Sequence, residues 1–212
     1  MRKDIYILGI GHNTIVFIDL VEQCGYNVAG LYHFNNDRTG KIDHGYKILG
    51  SFDDLFNSET LKGNNFALSM GDLEIRKDLT KKILSAGGYI PCLIHPTAII
   101  SKFAKIGNGV CIGPFTNVQA DSVIGDGTVI LSGVNISHTN QIGNFCFISG
   151  GATVGAFVKV NDLVLIGISA TIVSGKVPNI GKNAIIGAGS VVICEVKEDT
   201  IVAGNPAKII SK

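Results

Sequence analysis

Five histidines are the side chains best suited to moving a proton near neutral pH: His12, His33, His44, His95 and His138. An unperturbed imidazole titrates at about 6.5, which fits a general base. A catalytic zinc site needs several such rings converging on one point. From residue 94 onward the sequence offers only His95 and His138, far apart, so no metal is expected. The five cysteines (24, 92, 111, 146 and 194) show no C-x-x-C spacing and are odd in number. They read as small apolar thiols of a reduced, cytoplasmic chain, not as a zinc site or a disulfide framework. A second candidate lies near the N-terminus, where Gly9-Ile10-Gly11-His12-Asn13 leads into Thr14. This G-x-G-x-x-T turn lacks the third glycine of a dinucleotide fingerprint, and a purely structural β-α turn reads equally well. Asp37 follows the second expected strand, where an acid can hold a ribose hydroxyl; a solvated loop acid is the alternative.

The elements that position these groups are of two kinds. From Ile94 in steps of six, the residues are Ile94, Ile100, Ile106, Ile112, Val118, Ile124, Ile130, Ile136, Ile142, Ile148, Val154, Val160, Ile166 and Ile172. The next step falls on Pro178, and the pattern resumes two residues late with Ile180, Ile186 and Val192. Glycine follows the aliphatic at 107, 113, 125, 143, 155, 167, 181 and 187, and the fifth hexad position is small or β-branched almost throughout. A period of six is neither helix nor open-sheet strand. It is the signature of a parallel β-helix, in which each hexad gives a short strand and a turn. The aliphatic points inward, the small residue fills the corner, and the glycine is expected to take backbone shapes that other residues avoid. His138 is third in its hexad (136–141), where side chains point outward. Its hexad is unusual in carrying polar Asn140 at the fifth position.

Ahead of the repeats, Asp4 to Gly9 reads as a buried strand, Thr14 to Cys24 as a helix and Val28 to Phe34 as a second strand. Phe66 to Met70 reads as another strand, and Leu73 to Ala86 as a helix whose Arg76–Lys82 charges form an exposed face. Alternation of this kind predicts a small Rossmann-like α/β domain with a parallel sheet over 1–93, and the repeats form a second domain over 94–212.

Composition agrees with that division. Of 212 residues, 46% are hydrophobic and 17% charged, which excludes a disordered chain. A net charge of +1 gives no electrostatic footprint for nucleic acid. No apolar run approaches a membrane span. Arg2, Lys3 and the short Ile5–Leu8 run are too brief for a signal-peptide core.

These features together resemble the bacterial sugar-nucleotide N-acetyltransferases of the bacillosamine type (UDP-4-amino-sugar enzymes) and the related sialic acid O-acetyltransferases, within the hexapeptide-repeat acyltransferases. The resemblance rests on Gly9-Ile10-Gly11-His12, Gly71-Asp72-Leu73-Glu74-Ile75-Arg76, Leu93-Ile94-His95-Pro96-Thr97-Ala98, Ser137-His138, Ile186-Gly187-Ala188-Gly189-Ser190-Val191-Val192 and Ala203-Gly204-Asn205-Pro206-Ala207-Lys208. It implies a left-handed β-helix with three hexads per coil, so that residues 18 apart stack. It implies a homotrimer, with acetyl-CoA as co-substrate in a groove between neighbouring β-helices. It further implies His138 as general base and the Ala156 backbone N–H, one coil above, as oxyanion donor. Acetyl-CoA would meet Phe147, Gly155, Ala156, Ile168, Ser169, Ala188 and Gly189. The sugar nucleotide would meet Gly9, Gly11, His12, Asn13, Asn36, Asp37 and Gly71. The family's acid after the histidine is here Thr139, so the ring's orienting partner is expected to be Thr139 itself or Asp121, 18 residues earlier. A second family histidine aligns with Phe147.

The expected reaction is therefore N-acetylation of a nucleotide-linked 4-amino-4,6-dideoxy sugar, with UDP ahead of dTDP and GDP, for surface-glycan or glycoprotein sugar biosynthesis. Acetylation of a sugar or sialic acid hydroxyl is the alternative chemistry. A catalytically inactive, trimeric sugar-nucleotide-binding protein is the alternative of another class. A structural solenoid, a γ-class carbonic anhydrase and a nicotinamide-dependent reductase fit less well, for want of a reason for the α/β domain, of metal ligands and of a full glycine motif respectively.

Overall fold

The computed structural model describes residues 3–211; Met1, Lys212 and Arg2, the last from the N-terminal charged patch considered above, lie outside the described residues. The chain divides into two compact units, Met1–Leu93 and Ile94–Lys212.

The first unit is an α/β layer structure. Its elements are β1 (Lys3–Leu8), α1 (Thr14–Gln23), β2 (Tyr26–His33), β3 (Ile42–Asp43), β4 (Tyr46–Ser51), α2 (Phe52–Phe56), β5 (Asn65–Leu68) and α3 (Leu73–Ser85). The sheet order is β3-β4-β2-β1-β5, and all pairings are parallel except the β3–β4 hairpin. Ile5, Ile7 and Leu8 of β1 are fully buried, as a central parallel strand covered on both faces requires. Helix α1 turns Phe17, Ile18, Leu20 and Val21 inward. Strand β1 lies between β2 and β5, so the connections leave it on opposite sides. The loops after β1 and β5 therefore open at the topological switch point, where such sheets bind ligands.

The β3–β4 hairpin and α2 carry too few periodic residues to be read from the sequence. Helix α2 nevertheless starts on a capping box, with Ser51 and Asp54 each taking the other's backbone N–H. The Ser51 backbone N–H, then its hydroxyl and the Asn36 side chain, hold the Asp54 carboxyl below the usual carboxylate range. The Arg76–Lys82 run is not wholly an exposed face. Arg76 is buried, donates from Nη1 to the Leu68 carbonyl at 2.8 Å, and stands 5.8 Å from the Phe17 ring centroid. A helix side chain leans toward the preceding turn, and here that direction leads to the end of β5.

The second unit is a parallel β-helix. Two-residue strands, each the sixth position of one hexad and the first of the next, form three sheets of six, five and eight strands, the last finished by the antiparallel pair Ile201–Gly204 and Ala207–Ser211. Partners are 18 residues apart, as in Asn117↔Asn135 and Ile130↔Ile148. Across the frame break they are 20 apart, as in Val160↔Ile180 and Ile166↔Ile186, and beyond it 16, as in Ile185↔Ile201. The two extra residues sit near Gly175–Pro178, and Val177 is still buried there.

From Ile112 to Ile186 the first-position aliphatics are essentially solvent-free, each contributing about 1.5–3 kcal/mol of burial. Fifth-position residues such as Thr116, Ser122, Thr128, Val134 and Ala152 fill the corners at 0% exposure. Cys146 is one of these; burial pushes its thiol up to about 12, so it acts as packing. Cys111 is buried as well, Cys24 is half-buried, and Cys92 and Cys194 are exposed.

The glycine expectation also needs correction. Positive φ belongs to the fourth hexad position, where Phe115, Asp121, Thr139, Phe157 and Ser169 adopt it as well as Gly133 and Gly151. The glycines after the aliphatics have no positive φ. They are glycine because the coil above leaves no room: a Cβ on Gly125 would lie 2.5 Å from the Gly143 carbonyl carbon.

Candidate active site

His138 stands on the turn after strand Asn135–Ile136 of the six-stranded sheet, exposed as its hexad position requires. Its Nδ1 lies 3.0 Å from Thr139 Oγ1. Thr139 is at the fourth position with φ of 59°, which turns its hydroxyl back toward the ring. Asp121 takes the same conformation one coil below, with φ of 59°. It shares no hydrogen bond with the imidazole among the described residues, so Thr139 is the partner the geometry provides. One coil above Thr139 is Phe157, 64% exposed, with its ring perpendicular to that of His138 and centroids 5.1 Å apart.

Ala156, one coil above His138, is placed as expected, but its N–H is already engaged. It donates to Ser174 Oγ, one further coil up, at 2.8 Å. The same device recurs in another column of the helix. There Asn108, Asp126 and Asn144 each donate a backbone N–H to the side-chain oxygen 18 residues ahead, ending on Asp162. The stacking arithmetic that led from 138 to 156 also leads to 174, but the direction of the Ser174 side chain had no signature in the sequence. Gly155 donates to the Ile172 carbonyl, and a Cβ there would lie 2.4 Å from Ser174 Oγ.

The remaining residues expected at acetyl-CoA fall elsewhere. Ile168, Ser169, Ala188 and Gly189 cluster at the corner that follows the eight-stranded sheet, where Gly189 N–H donates to the Ile168 carbonyl at 2.8 Å. All four are exposed, Ile168 at 59%. Phe147 is buried at 7% exposure and offers little surface to a ligand. One chain thus places its histidine and its exposed Ile168–Ala188 patch on different corners of the β-helix.

In the first unit the loops after β1 and β5 come together. Gly9 has φ of 94°, and a Cβ there would meet Met70 and Ser69 at 3.1–3.3 Å. Ser69 Oγ donates to the Gly9 carbonyl at 2.6 Å. Asn13 precedes α1 without capping it, and its Nδ2 lies 3.9 Å from the Cβ position of Gly71. Gly9, Asn13 and Gly71 therefore lie where the two loops meet, and the neighbouring His12 is exposed. Gly11 is spatially open, but its N–H donates to Thr14 Oγ1 at 2.7 Å, so the buried threonine holds the donor that a phosphate would use. Beyond β2, Asn35 holds Asp37, donating from Nδ2 to its carboxylate at 2.7 Å, and Asn36 accepts from Thr39. Among the described residues no group of His, Cys, Asp or Glu is arranged to hold a metal ion. Among the described residues no helix is long and apolar enough to cross a membrane.

The α/β unit and the parallel coil of period six define a two-unit chain of hexapeptide-repeat fold. Residues 4–83 match the PglD N-terminal domain and residues 103–138 the bacterial transferase hexapeptide (six repeats). The chain thus carries a match to the PglD N-terminal domain followed by a match to the bacterial transferase hexapeptide.

It is 29% identical over 206 residues to GDP-perosamine N-acetyltransferase of Escherichia coli O157:H7, covering 93% of this chain and 90% of that protein. A variant of perosamine N-acetyltransferase from Caulobacter crescentus, solved with CoA and GDP-perosamine, superposes with a TM-score of 0.90 at 26% identity over 100% of this chain and 99% of that one. The acetyltransferase domain of PglB from Neisseria gonorrhoeae with acetyl coenzyme A gives a TM-score of 0.88 at 27% identity, over 99% and 100%. Other relatives match over a short stretch. The chain spans 18% of an acyl-[acyl-carrier-protein]–UDP-N-acetylglucosamine O-acyltransferase from Mesorhizobium japonicum, with 46% identity over 50 residues.

Proposed function

We propose that the chain transfers acetyl from acetyl-CoA to the amine of a nucleotide-linked 4-amino-4,6-dideoxy sugar. The observation that carries this reading is an exposed, hydroxyl-oriented histidine on a β-helix turn, in a chain that matches perosamine N-acetyltransferase and the PglB acetyltransferase domain over nearly its whole length. With Nδ1 protonated and donating to Thr139 Oγ1, Nε2 keeps its lone pair for the acceptor. The amine attacks the thioester carbonyl, His138 takes the proton, and CoA leaves as the thiolate. The amine must be neutral to attack, and the base removes the proton that its new bond makes acidic.

The developing oxyanion needs a donor fixed in advance. The Ala156 N–H fills this role once the Ser174 hydroxyl turns away, so Ser174 competes with the substrate oxygen for it. Ser174→Ala is then expected to raise kcat by about 5-fold, the value of one net hydrogen bond. A loss of more than 10-fold would assign the donor role to the Ser174 hydroxyl instead.

The acetyl-CoA contacts at Ile168, Ser169, Ala188 and Gly189 belong to a neighbouring copy in this reading, which makes the active unit an oligomer, a trimer by family resemblance. Light scattering tests it: a fully active monomer would overturn the shared groove. The switch-point residues Gly9, Asn13 and Gly71, with His12, Asn36 and Asp37, take the sugar nucleotide. GDP- and UDP-linked amino sugars head the panel. Two of the full-length matches are named for or solved with GDP-perosamine, and the sequence resemblance favours UDP. Thiol release from acetyl-CoA is followed with GDP-, UDP- and dTDP-linked 4-amino sugars and with free sialic acid. Turnover with at least one amino sugar is expected. Turnover with sialic acid alone would make the enzyme an O-acetyltransferase, and none with any acceptor would leave a binding protein.

A further inference from the structure

The unusual Asn140 is not used by the mechanism above, although it follows the proposed base by two residues. It is fully buried at a position that other hexads fill with alanine, valine, serine, threonine or cysteine. Burying a carboxamide is unfavourable unless its polar atoms are bonded, and here both are. Oδ1 accepts from the Val158 N–H at 2.8 Å, and Nδ2 donates to the Ser137 carbonyl at 2.7 Å.

The second bond departs from the rest of the β-helix. The fifth-position hydroxyls of Thr116, Ser122 and Thr128 each donate upward, to the carbonyls of Leu131, Ser137 and Gly143, 15 residues ahead. Asn140 instead turns back to a carbonyl three residues earlier in its own coil. The Ser137 carbonyl consequently takes two donors, Asn140 Nδ2 and Ser122 Oγ. Ser122 Oγ also accepts the Asn140 backbone N–H at 3.2 Å. The turn from Ser137 to Asn140 is therefore fastened at both ends, and the two residues it encloses are His138 and Thr139. Through Oδ1 the same side chain joins this turn to Val158, two residues past Ala156 and next to the Phe157 that meets the imidazole edge-on.

We infer that Asn140 is a positioning residue for His138: it fixes the turn bearing the base against the coil bearing the Ala156 N–H. The inference rests on the reading of His138 as general base. A valine at 140 would fill the corner as Val134 and Val158 do at theirs, so packing alone does not call for a carboxamide. What the carboxamide adds is geometric, a base and an oxyanion donor held at one separation, and displacement of a reacting group by about 1 Å costs on the order of 100-fold in rate.

Asn140→Ser separates the two roles. Serine keeps an oxygen for the Val158 N–H, as Ser122 and Thr128 do for the residues above them, but it loses the bond back to Ser137. The expected result is a melting temperature near that of the unaltered protein, a KM for acetyl-CoA within twofold, and kcat lowered by about 10- to 100-fold. In the His138→Ala background the same change is expected to have no further effect, because Asn140 acts through the ring. Unchanged kcat in the single variant would overturn the inference, as would an equal further loss in the His138→Ala background. If His138→Ala itself stays active, the base reading fails, which is a separate outcome. Should Asn140→Ser unfold, Ser122→Ala loosens the same turn from below, with an alanine that other hexads carry at that position, and kcat must fall there too.

Discussion

Replacing His138 by alanine is expected to lower kcat for acetyl transfer by about 100- to 10,000-fold, the usual contribution of a positioned base. The fold should survive the change. His138 is exposed, and it meets the neighbouring Thr139 hydroxyl and Phe157, which is itself 64% exposed. Surface substitutions of this kind shift stability by about 0.5 kcal/mol or less. The KM for acetyl-CoA should stay within a few-fold, because the ring acts on the proton that is lost in the transition state and not on the pantetheine arm. Thiol release and a thermal melt on the same preparation check both halves. A loss below 10-fold would remove His138 from the mechanism. Thr139 makes the test sharper. On the proposed mechanism its hydroxyl orients the ring without supplying a charge to the imidazolium, and Asp121 shares no hydrogen bond with the ring among the described residues, so the ring itself carries the proton-transfer step.

The β-helix was legible because one simple physical demand repeats: every sixth residue faces a narrow dry interior that only Ile or Val fills well. Ile136, Ile142 and Ile148 could be assigned inward from spacing alone, and the outward position of His138 followed. Strand ends in the α/β unit were less legible. The second strand was read from Val28, yet it begins at Tyr26, since Tyr26 and Asn27 pair with Lys3 and Asp4 and Asn27 Nδ2 donates to Asp4 Oδ1 at 2.8 Å. Those bonds join residues 23 apart, and nothing in the local pattern around Tyr26 announces them. The same limit applies to the candidate site. Spacing could place Ala156 above His138, but whether its N–H was available depended on the rotamer of Ser174. Asn140 stood out as an anomaly of composition, whereas its bond to Ser137 is a matter of side-chain direction. The Gly11 donor was lost to Thr14 for the same reason.

The two glycine classes of the β-helix should separate cleanly in a stability measurement. Gly125 follows an aliphatic and has an ordinary φ, so alanine's backbone preferences are satisfied there. Its Cβ, however, would lie 2.5 Å from the Gly143 carbonyl carbon and oxygen and 2.7 Å from the Asn144 nitrogen. These are backbone atoms of the next coil, and moving them stretches the inter-coil bond from Gly125 N–H to the Ile142 carbonyl, 2.8 Å in the native helix. Overpacking of a rigid interior costs about 1–3 kcal/mol and more where nothing yields. For a chain of this size Gly125→Ala should therefore lower Tm by about 6–12 °C. Gly133 is the opposite case. Its φ is 68°, while a Cβ there would find only the Gly151 nitrogen at 4.0 Å. Phe115, Asp121 and Thr139 already hold that conformation at equivalent positions, so the coil tolerates a side chain, and the strain is about 1–2 kcal/mol. Gly133→Ala should lower Tm by less, about 2–8 °C. Were positive φ the reason for the glycines at 107, 125 and 143, the order would reverse and Gly133→Ala would be the more damaging change. Thermal unfolding of the two variants side by side decides between crowding and conformation as the origin of the hexad glycine.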